Sequence, residues 1–254
     1  MARPHIESIS AYGVAPVALD AGPFAGAACR TLSADPDDGS ATTLMSFPAG
    51  WSGELAGERP TELLVLRGAG VLGDHTLRAG AWAWIPAGAQ PRMLRFDEDT
   101  EALVMIEPPR PAGGEIEIVD VVDARFEEIH VVEGVPYGLA LKTLRVDPQL
   151  GERSWIAGAT PGWLGFRGEI HPTVEEGFLL QGDCLLANSG PMVAGDYFWR
   201  PGAVHHGPFA TRAGMLYYFR TKGGDLEVTW DDPPDWGERA RRYYDEEPWF
   251  TPAR

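Results

Sequence analysis

The chain has 254 residues, enough for one large β domain or two ordinary ones, with a core that needs no disulfide or metal staple. A formal net charge of −16 leaves no basic face for nucleic acid or an anionic membrane. Two cysteines, Cys29 and Cys184, are too few for a disulfide framework; they point to a reducing compartment and read as small buried residues.

Residues 1–8 carry no apolar run and no cleavage signature. No stretch reaches the ~18–20 apolar residues that span a bilayer, so a soluble cytoplasmic protein is expected. Short apolar runs follow at 63–66, 103–106 and 116–119, then at 177–180, 215–219 and 226–230, each bounded by Gly, Pro or Asp. Such spacing predicts an all-β sandwich or barrel. The one helical candidate is 236–244, with Asp235 as its N-cap.

An internal repeat organises these runs. Glu62-Leu63-Leu64-Val65-Leu66-Arg67-Gly68 matches Glu176-Gly177-Phe178-Leu179-Leu180-Gln181-Gly182, and residues 80–88 match 195–203. Pro48-Ala49-Gly50-Trp51 echoes Thr160-Pro161-Gly162-Trp163 at a similar offset, about 115 residues. Two similar β domains follow, 1–113 and 114–254, joined near the Pro/Gly-rich segment 108–114.

The polar residues of the second copy stand out. Glu169, His171 and Glu175 lie close together, and His205 and His206 follow about thirty residues later. On a strand, Glu169 and His171 share a face. Carboxylates and imidazoles in this number suit Zn, Mn, Fe or Ni.

Each copy runs strand, polar loop, apolar strand ending in Gly, hairpin, aromatic strand, Pro-containing turn, strand. This order resembles the cupin superfamily, whose motifs are roughly G-x5-H-x-H-x3,4-E-x6-G and G-x5-P-x-G-x2-H. Glu175 with Gly182 fits the end of the first motif, and Gly195, Pro201 and His206 fit the second. The resemblance implies a bicupin, two tandem jelly-roll barrels with a short C-terminal helix. Residues 195–208 also look like uncharacterised bacterial bicupins and the cupin domain of zinc-dependent anti-sigma factors.

The resemblance further implies one divalent metal in the C-terminal barrel, on Glu169, His171, Glu175 and His206. Most metal cupins have His where this chain has Glu169; the E-x-H variant resembles the manganese bicupin ureidoglycine aminohydrolase. Glu175 competes with Glu176 for one ligand position, and His205 with His206. Glu176 pairs with Glu62 of the first copy, which favours a structural role for Glu176 and Glu175 as the ligand. Glu176 then remains as an acid–base candidate for catalysis. In the first copy the corresponding positions are about Leu55, Gly57, Thr61 and Pro91, none a good ligand. That barrel is expected to be metal-free, and His5, His75 and His130 to be surface or hydrogen-bonded residues.

Phe166, Phe178, Tyr197, Trp199, Tyr217 and Phe219 flank the proposed site, though alternation keeps them from all facing inward. Arg167, Arg200 and Arg220, taken singly, read as surface residues; an inward one would fork onto a substrate carboxylate. The tail from Trp236 to Phe250 reads as a solvated helix face, a barrel cover or a dimer arm. The expected function is metal-dependent action on a small organic molecule, such as dioxygenation of a diketone-like or phenolic substrate. The alternatives are hydrolysis or isomerisation, or a non-catalytic sensor. A homodimer is expected, with no nucleic-acid or membrane partner.

Overall fold

The computed structural model describes residues 3–55, 57, 59–128, 137–165, 167–187, 189–231, 235–238, 241 and 242. Most of them form short antiparallel strands. The first is β1 (Ile6–Ser10).

One unit comprises Met1–Pro4 and Ala11–Ala124. It contains β2 (Val17–Ala18), β3 (Ala28–Ala34), β4 (Ala41–Phe47), β5 (Ser52–Leu55), β6 (Thr61–Arg67) and β7 (Ala69–Leu72). It continues with β8 (His75–Arg78), β9 (Ala81–Ile85), β10 (Arg92–Phe96), β11 (Thr100–Ile106) and β12 (Glu117–Asp120). These make a seven-stranded sheet, β12-β9-β6-β11-β4-β3-β2, and a four-stranded one, β5-β10-β7-β8. In its hydrophobic core Leu55, Leu63, Val65, Leu72 and Leu94 pack with the aromatic group Phe47, Trp51 and Phe96.

The other unit comprises His5–Ser10 and Arg125–Arg254. Besides β1 it contains β13 (Glu127–Glu128), β14 (Leu139–Val146), β15 (Arg153–Ala159), β16 (Gly168–Ile170) and β17 (Val174–Leu186). After them come β18 (Gly190–Val193), β19 (Asp196–Arg200), β20 (Phe209–Ala210), β21 (Met215–Lys222) and β22 (Thr229–Asp231). Its main sheet runs β1-β19-β17-β21-β15-β14-β13, with β18 and β20 also on β17 and a separate β16-β22 pair. Strand for strand this repeats the first unit, with β1 in the place of β12. The edge strand of each barrel thus comes from the chain segment that leads into the other barrel. The join expected near residue 113 lies ahead of β12, inside the first unit.

Gly182 shows why each long strand needs glycine where it turns. Its φ is 85°, and a Cβ there would lie 1.8 Å from the Gly214 carbonyl oxygen. At the C-terminus, 236–238, Arg241 and Arg242 are helical, and buried Trp236 donates its indole N–H to the Gly165 carbonyl at 2.6 Å. The rest of the expected helix and tail, with His130 and Phe166, lies outside the described residues. Among the described residues no helix is long and apolar enough to cross a membrane.

Candidate metal centre

The centre lies in the second barrel, where β16, β17 and the turn after β19 converge. Backbone bonds from Glu169 N–H to the His206 carbonyl (2.8 Å) and back (3.0 Å) pair the two segments that bear these side chains. The Pro201-Gly202-Ala203 turn makes this approach possible. A Cβ on Gly202 would sit 1.9 Å from the Pro172 carbonyl oxygen. Ala203 holds a left-handed φ of 64° and donates its N–H to the His171 carbonyl at 2.8 Å.

Both imidazoles are fixed by their Nδ1 side. His171 Nδ1 lies 2.9 Å from the Thr173 carbonyl oxygen, and His206 Nδ1 lies 2.9 Å from that of Val204. A carbonyl only accepts, so each Nδ1 carries the proton and donates it. Each Nε2 is then the atom turned towards the cluster, and it ligates a cation once it is free of a proton. Both Nε2 atoms are buried and have no hydrogen-bond partner. Buried polar atoms are normally satisfied, so two such atoms in one place leave room for a water or a cation as their partner.

Glu175 completes the group. Among the described residues, ligand atoms of His171, Glu175 and His206 lie within 4.8 Å of one another, and all three residues are buried. The two rings stand edge to face, with centroids 4.8 Å apart. Glu175 Oε2 is 3.2 Å from His206 Nε2, an ion-pair distance without hydrogen-bond alignment. Glu169 reaches the same nitrogen from the rim: Oε1 is 3.4 Å away, and the side chain is 29% exposed. Three of the four expected ligands therefore form one buried cluster, with the fourth beside it. His205 stays out of it.

The electrostatics fit a place for positive charge. Burial works to raise the Glu175 carboxyl, but His206 foremost, then Arg200 and His171, hold it below the usual carboxylate range. Burial works to lower His206, yet Glu175 and Glu169 outweigh it and push the imidazole up to about 10. In the absence of a cation, His206 and Glu175 hold a proton where a cation's charge would sit.

Glu176, expected as a catalytic acid–base, sits apart from the cluster. Successive residues of β17 face opposite ways, so Glu176 points away from the cluster. Arg220 Nη1 holds its Oε1 at 2.7 Å, and the Tyr197 hydroxyl donates to its Oε2 at 2.7 Å. In the first barrel Glu62 likewise accepts from Trp82, the counterpart of Tyr197. This carboxylate serves the fold in both copies. The register also refines one correspondence: Leu55 pairs with Arg92 as Glu169 pairs with His206, so Arg92, rather than Pro91, is the counterpart of His206.

A cavity of about 40 Å³ adjoins the cluster, lined by Glu169, Glu175, Arg200 and His206 and by an apolar wall that includes Phe198 and Tyr217. That space suits a few water-sized groups. Arg200 and Arg220 are both buried to 1% exposure, against the surface placement expected of each. Arg167 stacks near Trp230. The sequence hinted at Arg200 in one way: its counterpart in the first copy is Ile85, a core residue.

Residues 120–224 match the ChrR cupin-like domain family. No curated protein matches the chain in sequence. Among solved structures, a proposed dioxygenase from Nostoc punctiforme is 21% identical with a TM-score of 0.76, covering 89% of this chain and 86% of its own. Protein Ylba of E. coli is 17% identical with a TM-score of 0.60, covering 87% and 92%. Oxalate decarboxylase from Bacillus subtilis is 11% identical with a TM-score of 0.56, covering 95% and 83%. The chain therefore has the cupin fold twice over, and its second half is similar to the ChrR cupin-like domain.

Proposed function

We propose that the second barrel binds one divalent metal, Zn, Mn, Fe or Ni, on His171, Glu175 and His206, with Glu169 as a fourth donor from the rim. The observation that carries this reading is the pair of buried, unpartnered Nε2 atoms facing a buried carboxylate. When bound, such an ion supplies Lewis acidity, a more acidic bound water or a place for O2. The protein's own part is to hold the donors, exclude bulk water with the aromatic wall and admit the reacting group of a small organic molecule to the cavity. Dioxygenation of a diketone-like or phenolic substrate is the activity we favour, and the dioxygenase name proposed for the Nostoc relative supports it.

A second reading, a non-catalytic sensor of metal or small molecules, draws support from the ChrR cupin-like match. Elemental analysis after metal-replete expression tests the site: about one metal per chain is expected, and none in the His171→Ala/His206→Ala variant. A metal-free wild type overturns it. O2 uptake over a panel of diketones and phenols then separates catalysis from binding without turnover.

A further inference from the structure

Arg200 is not a donor to the cluster, yet it touches it. It ends β19, the strand between β17, which carries Glu175, and β1, which carries Glu7. Arg200 and Glu175 are register partners, so their side chains share one face of the sheet. The guanidinium spans two carboxylates. Nη1 lies 3.6 Å from Glu175 Oε2, and Nη2 lies 3.8 Å from Glu7 Oε2. Nη2 also donates to Ser189 Oγ at 3.1 Å, and Ser189 donates in turn to Glu7 Oε2 at 2.9 Å. The ring of Phe198 lies under the guanidinium, 3.9 Å from Cζ to centroid.

The first barrel offers an internal control. Its register places Thr61 where the second has Glu175 and Ile85 where it has Arg200; Glu7 lies in an irregular stretch of the β1 pairing that β12 does not share. Glu175 and Arg200 are absent together from the barrel that has no donor cluster at those positions. A requirement of the fold alone would have kept them in both copies.

We propose that Arg200 is a positioning residue for Glu175, and that Glu7 of the leading strand sets it through Ser189. The inference rests on the proposed metal reading. Held at both ends, the guanidinium fixes the Glu175 carboxylate towards the two imidazoles. An edge strand about 170 residues away in sequence thereby becomes part of the site's outer support.

Cobalt(II) titration, read by affinity and by the visible absorption spectrum, tests this. Arg200→Met is expected to weaken cobalt binding about ten- to a hundredfold, with an altered spectrum. Glu7→Gln is expected to weaken it about tenfold, and to change nothing further in the Arg200→Met background. Should Arg200→Met fail to fold, Arg200→Lys serves as that background, since lysine keeps a charge but lacks the fork. Equal costs of Glu7→Gln in both backgrounds, as simple docking of β1 would give, overturn the proposal. So does a Glu7→Gln protein with wild-type affinity and spectrum. A wild type that takes no cobalt removes the metal reading itself, and this inference with it.

Discussion

Glu175 and Glu176 are neighbours on one strand and face opposite ways: Glu175 meets His206 at 3.2 Å, and Glu176 meets Arg220 at 2.7 Å. One carboxylate belongs to the candidate centre and the other to the frame that holds it. Their variants should fail differently.

Glu176→Ala leaves the Arg220 guanidinium buried without its carboxylate. Breaking a buried pair from one side costs about 3–5 kcal/mol. Chemical denaturation should show that loss, while the folded protein keeps its metal. Glu175→Gln should do the reverse, lowering metal content sharply with a smaller change in the denaturation midpoint.

Glu169 stands at the rim, partly exposed, and its carboxylate reaches His206 Nε2 at 3.4 Å. Glu169→Gln should therefore weaken metal binding by about tenfold without abolishing it, the scale seen for supporting groups around a metal. Isothermal titration checks this; a variant that binds no metal would place Glu169 among the obligatory ligands.

Cys184 is buried beside Asp183, and burial first, then that carboxylate, push its thiol well above the ordinary value of 9.0. The native thiol should not react with alkylating reagents at pH 8, only after denaturation. The linkage has a definite sign. Above pH 9 the unfolded thiol ionises while the folded one stays neutral, so this contribution to stability falls as pH rises. The slope is at most about 1.4 kcal/mol per pH unit. Cys184→Ala should flatten the decline by up to that amount, as measured by denaturation between pH 9 and 10.5.

Leu72 is fully buried in the first barrel, amid a wholly apolar cluster. Leu72→Ala should cost about 2–5 kcal/mol through the cavity it leaves. Metal stoichiometry measured on the folded variant should stay unchanged.

The fold was legible because it is written twice. Leu63 to Gly68 and Phe178 to Gly182 repeat at one spacing, and the strands they imply occupy the same place in each sheet. The imidazoles were legible because the Pro-Gly turn fixes where His206 emerges. What the sequence hid depends on distance or on facing. The pairing of β1 with β19 joins residues almost two hundred positions apart, and no local period records it. Arg200 and Arg220 read as surface residues because long charged side chains usually are, unless buried partners meet them. The partners of Glu176 were hidden for a related reason: composition shows a spare carboxylate, and only the strand's alternation shows which way it points.

The edge strands bear on how this molecule can be divided. A fragment beginning at residue 114 would encode the candidate centre and still lack residues 6–10, so it would expose the flank of β19 and lose the Glu7 end of the Arg200 bridge. A fragment ending at residue 113 would lack β12 and expose β9 in the same way. Unpaired edges of this kind template association between chains. Two such fragments made in one cell would each carry the strand the other needs. The gene can be cut in two, but its products complement one another rather than stand alone.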